Sequence, residues 1–338
     1  MFTQIKVPHE IILNYSEDTL ERCAHLLQQD ELVAVPTETV YGLAGNALSE
    51  NAVRKIFNVK GRPLIDPLIT HFKCAEAAFS LVYASAAAET LAAAFWPGPL
   101  TLILEKRAII PDIVTAGLSS AAIRVPRQPM MQALLQRLNF PLAAPSANPF
   151  GYVSPTRPEH VAHTLGSKIA AILDGGACAH GIESTVLDLR DSRKPQLLRP
   201  GPIYAEAIET VLSLKVLRAD QTQQKGAQLS PGQLTRHYSP NTGINIIEHG
   251  QLHLDPRPGE AVIANRKPGG TTKDHVYWLS ETGDLVEIAR NFFDLLQKLD
   301  RMDYQTLSVE AAPELGIGLA FNDRLRRAAS VSVKQAIR

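Results

Sequence analysis

The chain has 338 residues, 45% hydrophobic and 20% charged, so it can bury a sizeable core and is not a disordered polyelectrolyte. Its length suggests two domains. Lys plus Arg (34) equals Asp plus Glu (34), which excludes a surface built as a whole to grip nucleic acid and leaves room for a local basic pocket.

The first residues, MFTQIKVPHEII, lack a basic region followed by an apolar core, so no secretory signal is expected. Ser16–Gln29 predicts a helix entered through polar capping residues, and Leu32–Val35 a short apolar strand. Ser49 can cap a second helix running to about Lys60, with Gly61 and Pro63 as stop signals. Further strands are expected at Leu68–Phe72, Leu100–Leu104, Ala121–Val125, Leu142–Ala144, Ile169–Leu173 and Thr185–Leu189, with helices near 86–95, 129–139, 156–165 and 203–213. The most apolar stretch, Ala84–Leu104, contains Glu89 and is broken by Pro97-Gly98-Pro99. It therefore reads as helix, turn and strand, with no membrane span.

Residues 219–232 are polar and nearly free of large apolar groups, the composition of a linker. Beyond about residue 242 a second α/β pattern begins, with strands at Ile244–Ile247, Ala261–Ala264, Val276–Leu279 and Leu307–Val309. Leu285, Ile288, Ala289, Phe292, Leu295, Leu296 and Leu299 mark one face of a long helix, a packing stripe. Cys23, Cys74 and Cys178 are isolated, with no metal-site spacing, and read as free thiols in a reducing, cytoplasmic compartment.

The familiar nucleotide signatures are missing. No G-x-x-x-x-G-K-[ST] occurs, and Gly316-Ile317-Gly318 lacks the third glycine and preceding strand of a dinucleotide fingerprint. H-E-x-x-H and G-x-S-x-G are also absent. The segment Val35-Pro36-Thr37-Glu38-Thr39-Val40-Tyr41-Gly42 instead ends a strand in a loop of hydroxyls and amides able to grip a small polar ligand. Lys60 and Arg62 flank a glycine at a helix end, and an ammonium beside a guanidinium suits a polyphosphate. Two cations there also suit solvent and the helix dipole, and the four residues KGRP by themselves favour that plainer reading. Arg124, Ser146-Ala147-Asn148, Ser154, Ser184 and Arg199 also fall at expected strand ends, where open α/β sheets commonly build ligand sites.

Taken in order, PTETVYGL, KGRP, PLITH, FWPGPLT, AIRVP, APSAN, SPT, DGG, GIEST and LRPG resemble the YrdC-like catalytic domain of threonylcarbamoyl-AMP synthases over roughly residues 15–214. SPGQLTRHYSP and LGIGLAFNDRLRRAA resemble the linker and C-terminal domain of the long form. One departure is Asn58-Val59, where small residues often precede the lysine. The resemblance implies an α/β fold: a YrdC-like twisted open sheet with helices over 1–214, a linker closing over the site at 215–241, and a smaller Rossmann-like domain at 242–338. It implies formation of L-threonylcarbamoyladenylate and pyrophosphate from L-threonine, bicarbonate and ATP, with Mg²⁺ accompanying ATP. The product would supply a separate tRNA threonylcarbamoyl-transferase complex; direct tRNA binding stays open.

By the same analogy Lys60 and Arg62 are the catalytic cations. They hold the triphosphate with Ser146, Asn148 and Ser154, while Arg199 and Tyr238 lie at the nucleotide. Thr37, His71, Arg124 and Ser184 surround the threonine, and Tyr41 helps wall the pocket. Tyr238 would close over the site and exclude water, whereas His237 is as readily structural. Two other readings compete. A carbamoyl-adenylate-forming carbamoyltransferase would need further modules or C-x-x-C zinc sites, which this chain lacks. A non-catalytic RNA-binding protein would need basic-aromatic runs that are equally absent.

Overall fold

The computed structural model describes residues 11–218, 238–270 and 273–330. The linker expected at 219–232, and His237, lie outside these residues.

Strand β1 (Ile12–Leu13) leads into helix α1 (Glu17–Gln28), whose first turn is capped by Ser16, its hydroxyl accepting from the Thr19 amide at 3.1 Å. Leu20, Cys23, Ala24 and Leu27 form the buried stripe of α1. Strand β2 (Val33–Val35) is buried throughout, and β3 (Gly42–Asn46) returns antiparallel to it. Helix α2 (Glu50–Lys60) is capped by Ser49 and stopped by Gly61.

There follow β4 (Ile69–His71), α3 (Ala75–Phe79), α4 (Ala86–Phe95), β5 (Leu100–Glu105), β6 (Ser120–Arg124), α5 (Pro129–Gln136) and β7 (Leu142–Ala143). Then come α6 (Pro158–Leu165), β8 (Ala171–Leu173), β9 (Thr185–Asp188), β10 (Gln196–Arg199), α7 (Ala205–Leu212) and β11 (Leu217–Arg218). Among the described residues these strands form one mixed 11-stranded sheet in the order β1-β8-β2-β3-β7-β4-β6-β5-β9-β10-β11. The period-2 alternation splits its side chains between two cores. Val33, Val35, Ala44, Ala171 and Leu173 face α1 and α5, while Ala34, Leu43 and Ile172 pack on the opposite side with Val53, Ile56 and Val161.

The second sheet comprises β12 (Gly243–Ile247), β13 (Glu260–Arg266), β14 (Val276–Ser280) and β15 (Thr306–Glu310), all parallel, in the order β12-β15-β13-β14. Helices α8 (Leu285–Leu299) and α9 (Ile317–Ala329) pack together beside it. The stripe expected on α8 is its core face, where Phe292 meets Phe321 with ring centroids 4.6 Å apart.

The sequence reading gave no range for β1, β3, α3, β10, β11 or α9, and two of these escaped it for different reasons. Gly42-Leu43-Ala44-Gly45-Asn46 has little strand propensity, and β3 exists because β2 and β7 pair with its two edges. Helix α9 buries an apolar stripe of Ile317, Ala320, Phe321, Leu325 and Ala328, but Asn322, Asp323 and Arg324 are buried beside it, which blurs the amphipathic pattern in the sequence.

Candidate active site

The ends of several strands of the large sheet converge. Strands β4 and β6 are parallel neighbours whose register sets His71 beside Arg124. The Arg124 guanidinium is 3% exposed: Nη2 is ion-paired with Glu38 Oε1 at 2.7 Å, Nη1 donates to Thr39 Oγ1 at 3.0 Å, and Nε donates to the Gly98 carbonyl at 3.2 Å. The loop after β2 is folded around Thr37. Its hydroxyl donates to the Val40 carbonyl at 2.6 Å and accepts from the Thr39 and Val40 amides at 3.1 and 3.2 Å.

The end of α2 positions two more cations. Gly61 takes the left-handed conformation (φ 63°) that a side chain would resist, and the chain reverses there. Lys60, the last helical residue, points its ammonium at the Ser146 and Asn148 carbonyls, at 2.5 and 2.6 Å. Arg62 is clamped by Asp66, with Nη2 3.0 Å from Oδ2, and donates to the Asp66 and Pro67 carbonyls. On the far side Arg199 donates through Nε to the Ser184 carbonyl at 3.0 Å and through Nη2 to its hydroxyl at 3.1 Å. Ser184 also shares a hydrogen bond with Thr101, at 2.8 Å between oxygens.

These groups enclose one pocket with about 500 Å³ of empty space, counting open solvent at its mouth. Of the residues singled out from sequence, Thr37, Arg62, His71, Arg124, Ser146, Ser184, Arg199 and Tyr238 line it. Lys60 and Asn148 lie behind the Ser146 wall: the Asn148 amide donates to the Pro149 and Tyr152 carbonyls, at 2.9 Å each. Ser154 donates to Glu183 Oε1 at 2.6 Å and is not part of the lining. The Tyr41 hydroxyl points away, accepting from the Gly175 amide at 3.0 Å and donating to the Gly176 carbonyl at 2.9 Å. It buttresses the loop after β8.

The sequence reading missed Glu38, Asp66 and Glu183, the carboxylates that hold Arg124, Arg62 and Arg324. Glu38 stands inside the Thr37-Glu38-Thr39 motif, a signal that was available. Glu183 stands likewise inside Gly181-Ile182-Glu183-Ser184-Thr185, whereas Asp66 falls between the quoted motifs and carries no such signal.

Burial dominates the electrostatics. It pushes the Lys60 ammonium well below its ordinary value, reinforced by neighbouring Arg62 and opposed by Asp66. Arg62 is lowered and Asp66 raised by the same desolvation, while their mutual attraction resists both shifts; we take the pair as ionised. Burial would raise Glu38, but Arg124 and hydrogen bonds to the carboxylate outweigh it, and the net shift is downward. His71 falls to about 3, first through burial and then through Arg124, so its ring is neutral at physiological pH. Its Nδ1 has no hydrogen-bond partner among the described residues, which leaves a polar atom available to a ligand. Among the described residues three buried arginines (Arg62, Arg124, Arg199) thus line the pocket with one carboxylate, Glu183, which is itself paired with Arg324, while Glu38 and Asp66 pair with Arg124 and Arg62 from behind; the set of cations suits an anionic ligand.

Two family models match the chain in succession. A family model described as "Telomere recombination" matches residues 25–201, and one described as the C-terminal domain of threonylcarbamoyl-AMP synthase matches residues 203–330. The threonylcarbamoyl-AMP synthase of Pyrococcus abyssi is 40% identical over 322 residues, covering 92% of this chain and 94% of that protein. That of Bacillus subtilis is 38% identical over 328 residues, covering 94% of each. Among solved structures, P. abyssi Sua5 complexed with L-threonine superposes with a TM-score of 0.86 at 38% identity, covering 95% of this chain and 98% of that one.

Proposed function

The chain belongs to the threonylcarbamoyl-AMP synthase family, and on that premise we propose how its buried cationic pocket forms the adenylate. It is an ATP-using enzyme with L-threonine as a substrate. In the reaction we infer, the threonine amine attacks the carbon of bicarbonate, giving N-carboxythreonine and releasing water. An oxygen of the new carboxylate then attacks the α-phosphorus of ATP, the bond to the β-phosphate oxygen breaks, and pyrophosphate leaves.

Two anions must meet and a third must depart, so fixed cations and positioning carry the rate with no covalent nucleophile. The observation that carries this reading is the convergence of Arg62, Arg124 and Arg199 with Thr37, His71 and Ser184 on one pocket. Arg62 and Arg199 are assigned to the triphosphate. Lys60 stands behind Ser146 and is drawn forward as phosphate countercharge replaces its two carbonyls. Arg124, Thr37, His71 and Ser184 are assigned to the threonine. Glu38 keeps Arg124 oriented, and the neutral imidazole of His71 presents Nδ1 to the substrate. Ser146 and Tyr238 line the nucleotide side, with Asn148, Ser154 and Tyr41 shaping the wall behind.

The donor set also bears on Mg²⁺. The described residues contain no group of three or more His, Cys, Asp or Glu placed to hold a metal, and Asp66 and Glu38 are committed to arginines. That fits a Mg²⁺ carried in on the phosphates, where it would neutralise charge on ATP.

We assign adenylate formation to residues 1–214, the connection to 215–241 and a supporting domain to 242–338. The product, a reactive mixed anhydride, is handed to a transferase acting on tRNA in the cytoplasm. No helix among the described residues is long and apolar enough to cross a membrane. The test is pyrophosphate release from ATP by purified protein, with and without L-threonine and bicarbonate. Release that requires both, with an adenylate retaining labelled threonine, is expected; release independent of threonine overturns the reading.

A further inference from the structure

Among the described residues the pocket lining contains none beyond Tyr238, yet the walls of the pocket are held from outside by the C-terminal domain. Arg324, on α9, is fully buried. Its Nε donates to Glu183 Oε2 at 3.0 Å, and its Nη1 donates to the Pro200 carbonyl and to Asp323 at 2.8 and 2.9 Å. Its guanidinium carbon stands 5.6 Å from the centroid of the Tyr238 ring. One side chain thus touches the residue before Ser184, the residue after Arg199, and the tyrosine over the pocket.

The same loops are gripped again nearby. Glu183 Oε1 accepts from Ser154, and Gln297 on α8 donates through Nε2 to the Val153 and Ser154 carbonyls at 3.3 and 3.2 Å. At Gly181 a Cβ would lie 2.1 Å from the Arg290 carbonyl oxygen, so α8 sits directly on the loop that carries Glu183.

We propose that Arg324 is a positioning residue of the adenylate-forming site, through which the C-terminal domain sets the geometry of the 183–184 and 199–200 loops and of Tyr238. The proposal rests on the functional reading above. An apolar pair of the same size would join two domains at least as firmly, because a buried ion pair carries a large desolvation cost. What an apolar pair lacks is direction. The planar guanidinium fixes a carboxylate oxygen, a carbonyl and a ring face at once. A displacement of about 1 Å in groups that orient reacting anions costs on the order of 10²-fold in rate.

The test uses the full chain and compares Arg324→Ala, Arg324→Lys and the double variant Arg324→Met with Glu183→Gln, which leaves no unpaired charge if the single changes unfold the protein. Exposed Arg326→Ala, on the same helix, is the control. Three quantities are read: kcat and KM for ATP and for threonine, amide exchange over 181–185 and 199–201, and melting. Expected are a fall in kcat of about 10–100-fold for Arg324→Lys and more for Arg324→Ala, partial rescue of the alanine variant by added guanidinium, and faster exchange confined to those loops. The double variant should fold and remain slow. A folded Arg324→Lys or double variant with wild-type kcat, KM and loop exchange overturns the proposal. So does lowered melting with unchanged kinetics per folded molecule, which marks a merely structural contact. A wild-type chain that releases no pyrophosphate with threonine and bicarbonate sinks the functional reading instead, and loop exchange then decides the positioning role without turnover.

Discussion

The pocket end of the large sheet and the core of the small sheet bury their side chains on opposite terms. Around the pocket, Lys60, Arg62, Arg124 and Arg199 are all less than 10% exposed, and among the described residues the Lys60 ammonium donates to two carbonyls. In the small domain Phe292, Phe293, Leu296, Phe321 and Ile263 are buried with no polar atom to satisfy. The first arrangement costs stability, since each desolvated cation must be compensated; the second supplies it. The contrast teaches that the site is poised for an arriving anion, while the neighbouring domain provides a rigid body against which the site loops rest.

That comparison can be broken at several points. The largest expected effect on folding lies in the small core, where Phe292→Ala should destabilise by about 3–5 kcal/mol in urea unfolding. A loss below about 1 kcal/mol would mean the small domain is loosely packed. In the pocket, Lys60→Met should lower kcat by about 10²–10³-fold while leaving melting unchanged or raised. If that variant instead melts much earlier, the ammonium is a structural tie for the Ser146–Asn148 loop and the contrast fails.

Next in size is a proton linkage. The folded state holds His71 neutral down to about 3, whereas the unfolded ring titrates near the ordinary imidazole value of 6.5. Between those values the unfolded chain binds the extra proton, so stability falls as pH falls through that window, by up to about 1.4 kcal/mol per pH unit. Above pH 6.5 the ring contributes no slope. His71→Gln should therefore flatten the acid limb of a stability-pH profile, and an unchanged limb would show that the ring is wetted and protonated in the fold. The smallest effect is at the start of α8, where Asp284 accepts from the Glu287 amide at 2.8 Å. Asp284→Ala should cost about 1 kcal/mol without altering KM for either substrate. A KM change there would mean that the α8 contacts on the Glu183 loop are felt in the pocket.

Much of this molecule is written locally. Ser16, Ser49 and Asp284 cap helices through their own side chains, Gly61 ends α2, and the α8 stripe is a matter of periodicity alone. The motifs carrying Thr37, His71, Arg124, Ser146, Ser184 and Arg199 were legible for the same reason, since each lies at or beside the end of a short strand. What the residues alone could not reveal is which charges would meet. Arg62 finds Asp66 four residues away, but Arg124 reaches back to Glu38 and Arg324 to Glu183, across separations that only sheet order and domain docking close. Nor could they reveal that Tyr41, Asn148 and Ser154 would turn to protein partners behind the pocket wall. Local chemistry dictates a turn or a cap because its partners lie within a few residues. The pairing of buried charges is a tertiary decision, because desolvation makes each charge depend on whichever group the fold brings beside it.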